Sequence, residues 1–254
     1  NDLKSLGEFD ALFIRETTSV NHHTYHFSRK GASLGLVVRD DPESILKCSN
    51  KVYLAEMLNK HHILSPKTYF LSRSTWKQQI EHLSFPCVLK KPDSAFSQGV
   101  VKLETPEQLR EQLPHFMKDS EILVVQDYVP TDFDWRVGVL DNVPLFACRY
   151  HMAKGHWQIY NWDSQDHHEG RIETIAIDEV PREVIKTALK AVKLIGNGLY
   201  GVDLKESSQG VQVIEVNDNP NIDHPVEDLV LGNQLYYKVL EHFIYHLRKV
   251  RGHD

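Results

Sequence analysis

Near the end of the sequence, three oxygen-bearing side chains stand where a β-hairpin would bring them together. Glu215 and Asn217 alternate with Ile214 and Val216 in an apolar run, and alternate residues of a strand share one face. We therefore predict Glu215 and Asn217 on one face and the two apolar residues on the other. The preceding apolar run carries a single acid, Asp203, which is the third member of the set.

The turn between these two runs determines how their residues pair. A three-residue turn over 208–210, with glycine in the left-handed position, is a common hairpin geometry and pairs Ser207 with Val211. That register places Asp203 directly opposite Glu215. Like charges so arranged destabilise a sheet, whereas Mg²⁺ takes oxygen ligands from carboxylates and would relieve the repulsion. The alternative is an exposed acidic face that binds nothing.

A lysine at the end of another apolar strand could reach a phosphate. In residues 86–91, strand alternation puts Lys90 on the face of Val88 and Lys91 on the other, so we predict that Lys90 points inward. The segment 93–100 is rich in small and polar residues, whose backbone N–H groups could hold phosphate oxygens. A solvated lysine at a strand end is the alternative interpretation.

A third pattern lies where a buried strand, 122–126, runs into a polar linker. Backbone groups of residues 125–129 are then available to the edge of an adenine base. Asp134 follows a few residues later, where a carboxylate could accept hydrogen bonds from ribose hydroxyls.

In this order the three patterns resemble the ATP-grasp superfamily, and within it the RimK-like glutamate ligases, particularly those with an additional N-terminal RimK-like domain. The resemblance covers about residues 10–240. It implies an α/β (α+β) ATP-grasp fold, in which two α+β subdomains grip the nucleotide after a partial Rossmann-like pre-ATP-grasp segment. The implied limits are 1–48 for that segment, 49–125 for the N-terminal subdomain and 126–254 for the C-terminal subdomain with the metal site.

The resemblance also implies roles for individual residues. Those assigned to the nucleotide are Lys51 and Lys90 on the phosphates, Ser97, Gln98 and Gly99 in a mobile phosphate loop, Gln126, Asp127, Tyr128 and Val129 at the adenine hinge, and Asp134 on the ribose. Those assigned to the metal are Asp203, Glu215 and Asn217. Those assigned to catalysis are Lys90, Arg149 over the transferred phosphoryl group (with Lys154 as an alternative), and Asn219, which binds substrate or supports the metal shell.

The resemblance implies ATP and Mg²⁺ as cofactors, with Mn²⁺ as an alternative metal. The implied substrate is a small molecule, an amino acid or a peptide. We expect no nucleic-acid or membrane partner, and we leave a homo-oligomer open. Because only the last strand–helix–strand unit of a substrate-side domain is recognisable, we also expect an additional N-terminal domain in the full-length protein.

Composition limits the remaining function classes. The chain has 254 residues, a formal net charge of -6 at pH 7 and 41% hydrophobic residues, which argue against a general nucleic-acid binder. No apolar run is long enough to span a membrane, and no leader peptide is visible. Three widely separated cysteines suggest reduced thiols and a cytoplasmic location.

Periodicity and turn residues predict the elements that position these side chains. Strands are predicted over 10–15, 36–39, 67–71, 86–91, 122–126, 134–140, 143–150, 199–205 and 211–217. Helices are predicted over 21–35, 49–61, 73–83, 181–195 and 226–250, with another that begins at Pro106. Residues 151–171 show little periodicity and are predicted to form a long loop.

Two short motifs are rejected on their context. Residues 196–201 match G-x-G-x-x-G and residues 31–35 match G-x-S-x-G. Both follow a predicted helix and precede a predicted strand, whereas the dinucleotide and hydrolase motifs follow a strand and open a helix. No P-loop sequence occurs, so a P-loop nucleotide site is excluded.

The leading hypothesis from the sequence is an ADP-forming ligase that joins a carboxylate to an amine through an acyl phosphate. The main alternative is a non-catalytic nucleotide-binding module that regulates a larger protein. A phosphotransferase with the same nucleotide cleft is a third hypothesis. The sequence names neither the two substrates nor the base that accepts the amine proton.

Overall fold

The computed structural model describes residues 2–93, 99–161 and 168–252. Its first part is a small α/β layer of α1, β1, α2 and β2, which span Asp2–Ser5, Ala11–Phe13, His23–Ser33 and Val37–Arg39. The two strands pair in parallel, which confirms the predicted strand–helix–strand unit. Gly31 allows α2 to approach β2 closely, because a Cβ there would lie 2.9 Å from a methyl carbon of Val38.

Two capped helices follow, α3 over Pro42–Cys48 and α4 over Lys51–Lys60. The side chain of Asp41 caps α3 by accepting from the backbone N–H groups of Glu43 and Ser44. Helix α3 is absent from the sequence prediction, which treats Pro42 as a break, although proline is favoured in the first turn of a helix.

The smaller sheet contains four antiparallel strands in the order β3–β6–β4–β5, which span Thr68–Ser72, Ile122–Asp127, Cys87–Lys90 and Val100–Leu103. Helix α5 (Trp76–Gln79) and helix α6 (Pro106–Phe116) pack against it. Leu71, Leu89 and Leu109 are fully buried in the resulting core. The helix predicted over 73–83 is shorter in the structure. Helix α5 ends at Gln79, and the chain continues as the 3-10 turn Ile80–His82.

The larger sheet contains five antiparallel strands in the order β11–β8–β7–β12–β13, which span Ile172–Ile175, Val143–His151, Phe133–Leu140, Leu199–Ser207 and Gly210–Asn217. Helix α7 (Arg182–Ile195) covers one face, in a core that includes Trp135 and Val202. Leu54 and Leu58 of α4 belong to the same core. Helix α4 therefore packs on the larger sheet, and the domain limits at 48 and 125 remain predictions.

The β12–β13 hairpin joins its two strands in an unexpected register. Ser207 pairs with Gly210 across a two-residue turn, so the predicted pairing of Ser207 with Val211 is wrong. A β-bulge at Ile214 then adds one residue to β13. The two differences cancel over the rest of the hairpin.

As a result, Asp203 pairs with Glu215 as predicted. The bulge also interrupts the alternation along β13. Ile214 lines the same cavity as Glu215, whereas Val216 lies in the core under α7. The prediction that Ile214 and Val216 share a face is therefore wrong.

The remaining elements differ from the prediction in two places. The expected loop 151–171 contains β9 (Tyr160–Asn161) and β10 (His168–Glu169), which pair antiparallel, while 162–167 lie outside the described residues. The last helix, α8, spans Asn233–Val250 and begins later than the predicted residue 226. In the described part of the chain, no helix combines the length and the apolar character that crossing a membrane requires.

Candidate active site

A cavity of about 570 Å³ lies between the two sheets and the small N-terminal layer. Strands β4 and β6 of the smaller sheet line it with residues such as Lys90 and Gln126. Strands β7, β12 and β13 of the larger sheet line it with Asp134, Asp203 and Glu215. The three sequence patterns therefore border one space.

The predicted metal set is assembled on the floor of this cavity. Asp203 and Glu215 are cross-strand neighbours, and the Asn217 side-chain amide donates to Asp203 Oδ2 at 3.2 Å. All three residues line the cavity, as predicted from the hairpin. Their donor atoms are oxygens, which suit a hard divalent cation.

Two cations that the hairpin argument does not foresee neutralise this acidic pair. Arg136 donates to both carboxylate oxygens of Asp203, at 2.7 Å from Nε and 2.9 Å from Nη2. Lys51 Nζ lies 2.8 Å from Glu215 Oε1. Burial alone would raise the pKa of Glu215, but Lys51, Lys90 and Arg136 outweigh it and leave that pKa lowered.

Arg136 lines the cavity and is missing from the sequence prediction. It is directly opposite Asp203 in the β7–β12 pairing. The sequence could have indicated Arg136, because it lies two residues after Asp134 on one strand and alternate residues of a strand share a face.

Lys90 and Lys91 point in different directions, as the alternation of side chains along a strand predicts. Lys90 lines the cavity and donates to Gln126 Oε1 at 2.6 Å. Burial lowers the pKa of Lys90 to about 8, with nearby Glu215 acting in the opposite direction. Lys91 Nζ instead pairs with Asp119 at 3.0 Å, near the surface.

The hinge residues Gln126, Asp127, Tyr128 and Val129 all line the cavity. The Gln126 carboxamide is held at both ends, because its Nε2 donates to Thr68 Oγ1 at 3.1 Å while its Oε1 accepts from Lys90 Nζ. This arrangement joins the hinge to the strand that carries the lysine.

Asp134, the predicted ribose carboxylate, lies on the cavity wall beside a lysine. Its Oδ1 accepts from Lys205 Nζ and, at 3.1 Å, from Thr131 Oγ1. Burial raises the pKa of Asp134 even though Lys205 acts against that change. Lys205 also lines the cavity and is absent from the sequence prediction.

Arg149 lies on the other face of the larger sheet. It pairs with Trp135 across β7 and β8, and its guanidinium carbon is 4.7 Å from the centroid of a Trp135 ring and 5.2 Å from that of Phe133. Its Nη1 is 3.6 Å from Glu173. Arg149 is not among the described residues that line the cavity. The prediction that Arg149 lies at the cavity, over the phosphoryl group, is therefore wrong. Strand alternation places Arg136 at the cavity instead.

Two further predictions concern Lys154, the alternative to Arg149, and the phosphate loop. Lys154 is exposed and is likewise not among the described cavity residues. Of the predicted phosphate loop, Ser97 and Gln98 lie outside the described residues. Gly99 has a φ of +67°, and its carbonyl accepts from the Lys91 N–H at 3.0 Å.

Asn219 connects the cavity to the small N-terminal layer. Its Oδ1 accepts from Arg15 Nη1 at 2.5 Å, and its Nδ2 donates to the Glu16 carbonyl at 2.6 Å. Five consecutive cavity residues from this layer are absent from the sequence prediction, namely Arg15, Glu16, Thr17, Thr18 and Ser19. They follow β1, and loops after parallel strands commonly carry ligand-binding residues, which was the available signal.

The sequence model of the RimK-like ATP-grasp domain matches residues 48–240. The chain belongs to the RimK-like ATP-grasp family. This confirms the suspected family and the predicted class of enzyme, an ADP-forming ATP-grasp ligase of C–N bonds. ATP binding is typical of the family.

Two curated relatives illustrate the sequence similarity. A probable alpha-L-glutamate ligase of Vibrio atlanticus (strain LGP32) is 25% identical over 224 residues, covering 87% of this chain and 72% of that protein. The alpha-aminoadipate–LysW ligase LysX of Sulfurisphaera tokodaii is 26% identical over 231 residues, covering 88% of this chain and 77% of that protein.

Solved structures confirm the predicted ATP-grasp fold. A D-alanine–D-alanine ligase from Bacillus anthracis complexed with ATP superposes with a TM-score of 0.71 at 18% identity, covering 90% of this chain and 78% of that chain. A RimK domain ATP-grasp protein from Sphaerobacter thermophilus gives a TM-score of 0.64 at 15% identity, covering 92% of this chain and 79% of that chain.

Proposed function

We propose that the protein joins a substrate carboxylate to an amine through an acyl phosphate, with release of ADP and inorganic phosphate. The observation that carries this proposal is the single cavity that contains both the acidic set and the hinge. Lys90 connects the two, because it contacts Gln126 and lies near enough to Glu215 to affect its pKa.

The acidic set fits a magnesium ion on chemical grounds. Asp203, Glu215 and Asn217 offer carboxylate and amide oxygens from adjacent strands, and magnesium is held by one or two carboxylates together with phosphates and water. When bound there, the ion would neutralise charge on the terminal phosphates. Manganese, which also prefers oxygen ligands, remains the alternative.

The basic residues of the cavity are suited to a triphosphate. Lys51, Lys90 and Arg136 present positive charge around the acidic set, and Arg136 is fixed by its two hydrogen bonds to Asp203. Fixed charges of this kind stabilise the transition state of phosphoryl transfer without reorganising during the reaction. Asp134 and the hinge would hold the ribose and the adenine.

The reaction balances without a covalent enzyme intermediate. A carboxylate oxygen attacks the γ-phosphorus, the bond to the β,γ-bridging oxygen breaks, and ADP leaves. The amine then attacks the acyl carbon, phosphate leaves with the original carboxylate oxygen, and the amine loses a proton to water or a nearby base. The residues position the groups and balance their charge.

The names of the relatives support an amino-acid or peptide substrate. The Vibrio protein is named for glutamate, and the Sulfurisphaera protein for alpha-aminoadipate and LysW. The cavity agrees with a polar substrate, because Arg15, Thr17 and Asn221 line it.

A screen of amino acids and short peptides for ATP-dependent ADP release, with mass detection of the ligated product, tests the proposal. A substrate labelled with heavy oxygen in its carboxylate should transfer one label to the released phosphate. Formation of AMP and pyrophosphate, or of unlabelled phosphate with ADP, would contradict the acyl phosphate.

The non-catalytic regulatory module is the second candidate. The observation that favours it is that both carboxylates of the acidic set are already paired with cations, Asp203 with Arg136 and Glu215 with Lys51. Nucleotide binding without ADP release, across the whole panel of amino acids and peptides, would support this candidate over the ligase.

A further inference from the structure

Two histidines and a glutamate converge at the rim of the cavity, in the small N-terminal layer. One ring nitrogen each of His22 and His23 and one carboxylate oxygen of Glu16 lie within 4.8 Å of one another. His23 Nε2 and Glu16 Oε2 are 2.8 Å apart, and the centroids of the two histidine rings are 3.9 Å apart. Glu16 also lines the cavity, so the group borders the candidate active site.

The helix that these histidines open does not explain them. His22 is the N-cap of α2, a position that Ser, Thr, Asp and Asn favour, and its side chain makes no capping hydrogen bond to a described residue. His23 contacts Glu16, and its ring lies edge-on to that of Phe27 at 6.4 Å between centroids. Helix capping therefore does not account for an imidazole at either position.

A buried threonine selects the tautomer of His22. The Thr24 hydroxyl donates to the Thr17 carbonyl at 3.4 Å, so its oxygen is left to accept from His22 Nδ1 at 3.1 Å. The proton of the neutral ring then lies on Nδ1 and the lone pair on Nε2. Histidine ligands of metal ions are oriented in this way, by a partner for the ring nitrogen that does not bind the metal.

The backbone that carries the group is held by contacts of its own. The Glu16 carbonyl accepts from Asn219 Nδ2 at 2.6 Å, which ties the loop after β1 to the segment after β13. The His22 N–H donates to the Ser19 carbonyl at 3.0 Å, which closes the turn before α2. The three side chains therefore start from fixed positions, and only their ends have to adjust to a ligand.

We propose that Glu16, His22 and His23 bind a divalent transition-metal ion such as zinc. Two imidazole nitrogens and one carboxylate oxygen suit such an ion, whereas magnesium prefers oxygen ligands alone. Zinc bonds of about 2.0–2.1 Å place two ligand atoms of a tetrahedral site about 3.3 Å apart. That separation lies between the 2.8 Å that joins His23 to Glu16 and the 4.8 Å limit of the whole group.

The three protein ligands would leave the fourth position of a tetrahedral ion to water or to a group of the substrate. Because Glu16 lines the cavity, that position can face the substrate side of the candidate active site. The site uses none of the residues assigned to magnesium or ATP, so it does not depend on the proposed function.

A second group of two histidines and an acid, Asp141, His242 and His246, is less suited to a metal ion. Arg39 Nε donates to His242 Nε2 at 2.8 Å, so the neutral His242 ring carries its proton on Nδ1. That nitrogen faces Asp141 Oδ2 at 3.8 Å, and a nitrogen must lose its proton before it can bind a metal. The positive charge of Arg39 would also repel a cation.

The alternative role of Glu16 and His23 is a surface ion pair with a protonated histidine. Their side chains are 62% and 55% exposed, and exposed pairs of this kind contribute little to stability. Such an ion pair requires neither His22 nor the hydroxyl of Thr24. A metal site requires both, which separates the two roles.

Calorimetric titration of the full chain with zinc, without nucleotide, tests the proposal. We expect one zinc ion to bind at this site, in the unaltered protein and equally in Glu215→Gln, whose acidic set is weakened as a competing metal site. Thr24→Val keeps all three ligands but loses the partner of His22, so the zinc affinity should fall about 10-fold or more. His22→Gln, His23→Gln and Glu16→Gln each remove a ligand and should weaken binding at least as much.

The matched control is another pair of adjacent exposed histidines, His61 and His62, at the end of α4. The double variant His61→Gln/His62→Asn should keep the zinc affinity of the unaltered protein. Asparagine is chosen because it tolerates the φ of +55° at position 62. His246→Gln, which disrupts the second group, should keep the zinc affinity as well.

Cobalt and thermal unfolding supply independent readouts. Bound cobalt should absorb visible light more strongly than the six-coordinate aqueous ion, and this absorption should be lost in His22→Gln. Zinc should raise the thermal unfolding midpoint of the unaltered protein and not that of His22→Gln.

Absence of zinc binding to the unaltered protein would overturn the inference, as would a loss confined to His246→Gln. Normal zinc affinity in both His22→Gln and Thr24→Val would also overturn it and would leave the ion pair as the role of Glu16 and His23. None of these measurements depends on ADP release, so their outcome is separate from that of the ligase assay.

Discussion

The two faces of the larger sheet are built from the same strands and serve opposite purposes. On the cavity face, Arg136 meets Asp203 and Lys205 meets Asp134, so each charge has a partner of opposite sign. On the other face, Trp135 and Val137 pack under α7 with almost no exposed surface. Consecutive residues of β7 therefore belong to different environments, and a shift of one residue would exchange them.

The comparison shows that the role of a residue in this sheet depends more on the face it occupies than on its chemical type. Arg136 and Arg149 have the same chemistry and lie on neighbouring strands. Only Arg136 reaches the acidic set, while Arg149 stacks on Trp135 and Phe133. Substitutions on the cavity face should therefore change activity, and substitutions on the other face should change stability.

The largest effect is expected at Asp203 and Glu215, the acidic pair proposed to bind the metal. Glu215→Gln keeps the shape of the side chain but removes the charge that a magnesium ion requires, so ADP formation should fall about 1,000-fold or more. The thermal unfolding midpoint should change little, because the amide oxygen can still accept from Lys51. Steady-state ADP release checks the first expectation and calorimetry the second.

The matched control is Glu183→Gln, which alters an exposed acid on α7 that pairs with Lys186 at 3.2 Å. Activity should stay within about 2-fold of the unaltered enzyme, since surface ion pairs contribute little. Equal losses in the two variants would show that the acidic pair has no special role.

The two arginines test the difference between the faces directly. Arg136→Met should lower kcat about 100-fold, because it removes a fixed charge beside the acidic set, where we propose that the phosphates bind. Arg136→Lys should recover only part of the activity, since lysine cannot make both bonds to Asp203. Arg149→Met should leave kcat within about 2-fold and reduce the free energy of unfolding by about 1 kcal/mol, through lost stacking.

Measurements of kcat and of urea unfolding on all three variants decide the question. A large loss of kcat in Arg149→Met together with normal turnover in Arg136→Met would restore the original assignment of Arg149.

The adjacent lysines give a smaller and more specific effect. Lys90→Met should weaken ATP binding about 10- to 100-fold, and Lys91→Met less than about 3-fold, because only Lys90 lines the cavity. The pKa of Lys90 is lowered to about 8, so its charge is lost as the pH rises through that value.

ADP affinity measured between pH 7 and pH 9 should therefore decrease in the unaltered protein and converge on that of Lys90→Met. Lys91→Met serves as the control and should keep the pH dependence of the unaltered protein. A flat profile in the unaltered protein would mean that Lys90 does not contact the nucleotide.

The smallest effect concerns a buried histidine away from the cavity. Burial, with Arg39 and His246 nearby, lowers the pKa of His242 from 6.5 to about 4. The unfolded chain then binds more protons than the folded one between these two values. The stability from this group is therefore present above pH 6.5 and is lost as the pH falls towards 4.

His242→Gln removes this titration and keeps an acceptor for Arg39, which donates to His242 Nε2 at 2.8 Å. Between pH 7 and pH 5 the unaltered protein should lose about 2 kcal/mol more free energy of unfolding than the variant. Burial raises the pKa of Asp218 to about 6, which acts in the opposite direction, so only the difference between the two proteins is diagnostic. Urea titrations at both pH values check it, and parallel curves would contradict it.

Local patterns predict much of this fold, because many elements are defined by their own residues. The hairpin of β7 and β8 and the amphipathic α7 lie close to their predicted limits. Helix α3 is missed because Pro42 is interpreted as a break, although it follows the Asp41 cap and occupies the first turn of the helix. The packing of α4 on the larger sheet depends on tertiary contacts, which the subdomain pattern of the family does not specify.

The same distinction applies to the candidate site. Lys90 is predicted correctly in position because its face follows from alternation within one strand. The pairing of Asp203 with Glu215 is predicted correctly because the shorter turn and the bulge at Ile214 cancel. Arg149 is misplaced because its face depends on how β8 pairs with β7. Arg15 is missed because only the folded chain brings the N-terminal layer to the cavity.

The bulge at Ile214 also bears on how this part of the chain can evolve. A bulge is a one-residue insertion that a sheet absorbs locally. If Ile214 were deleted, Leu204 would still face Val213, and the next pair along the ladder would still be Asp203 with Glu215. Length variation at this position can therefore be tolerated without separating the two acids, while it adds or removes one apolar side chain beside Lys51 and Lys90.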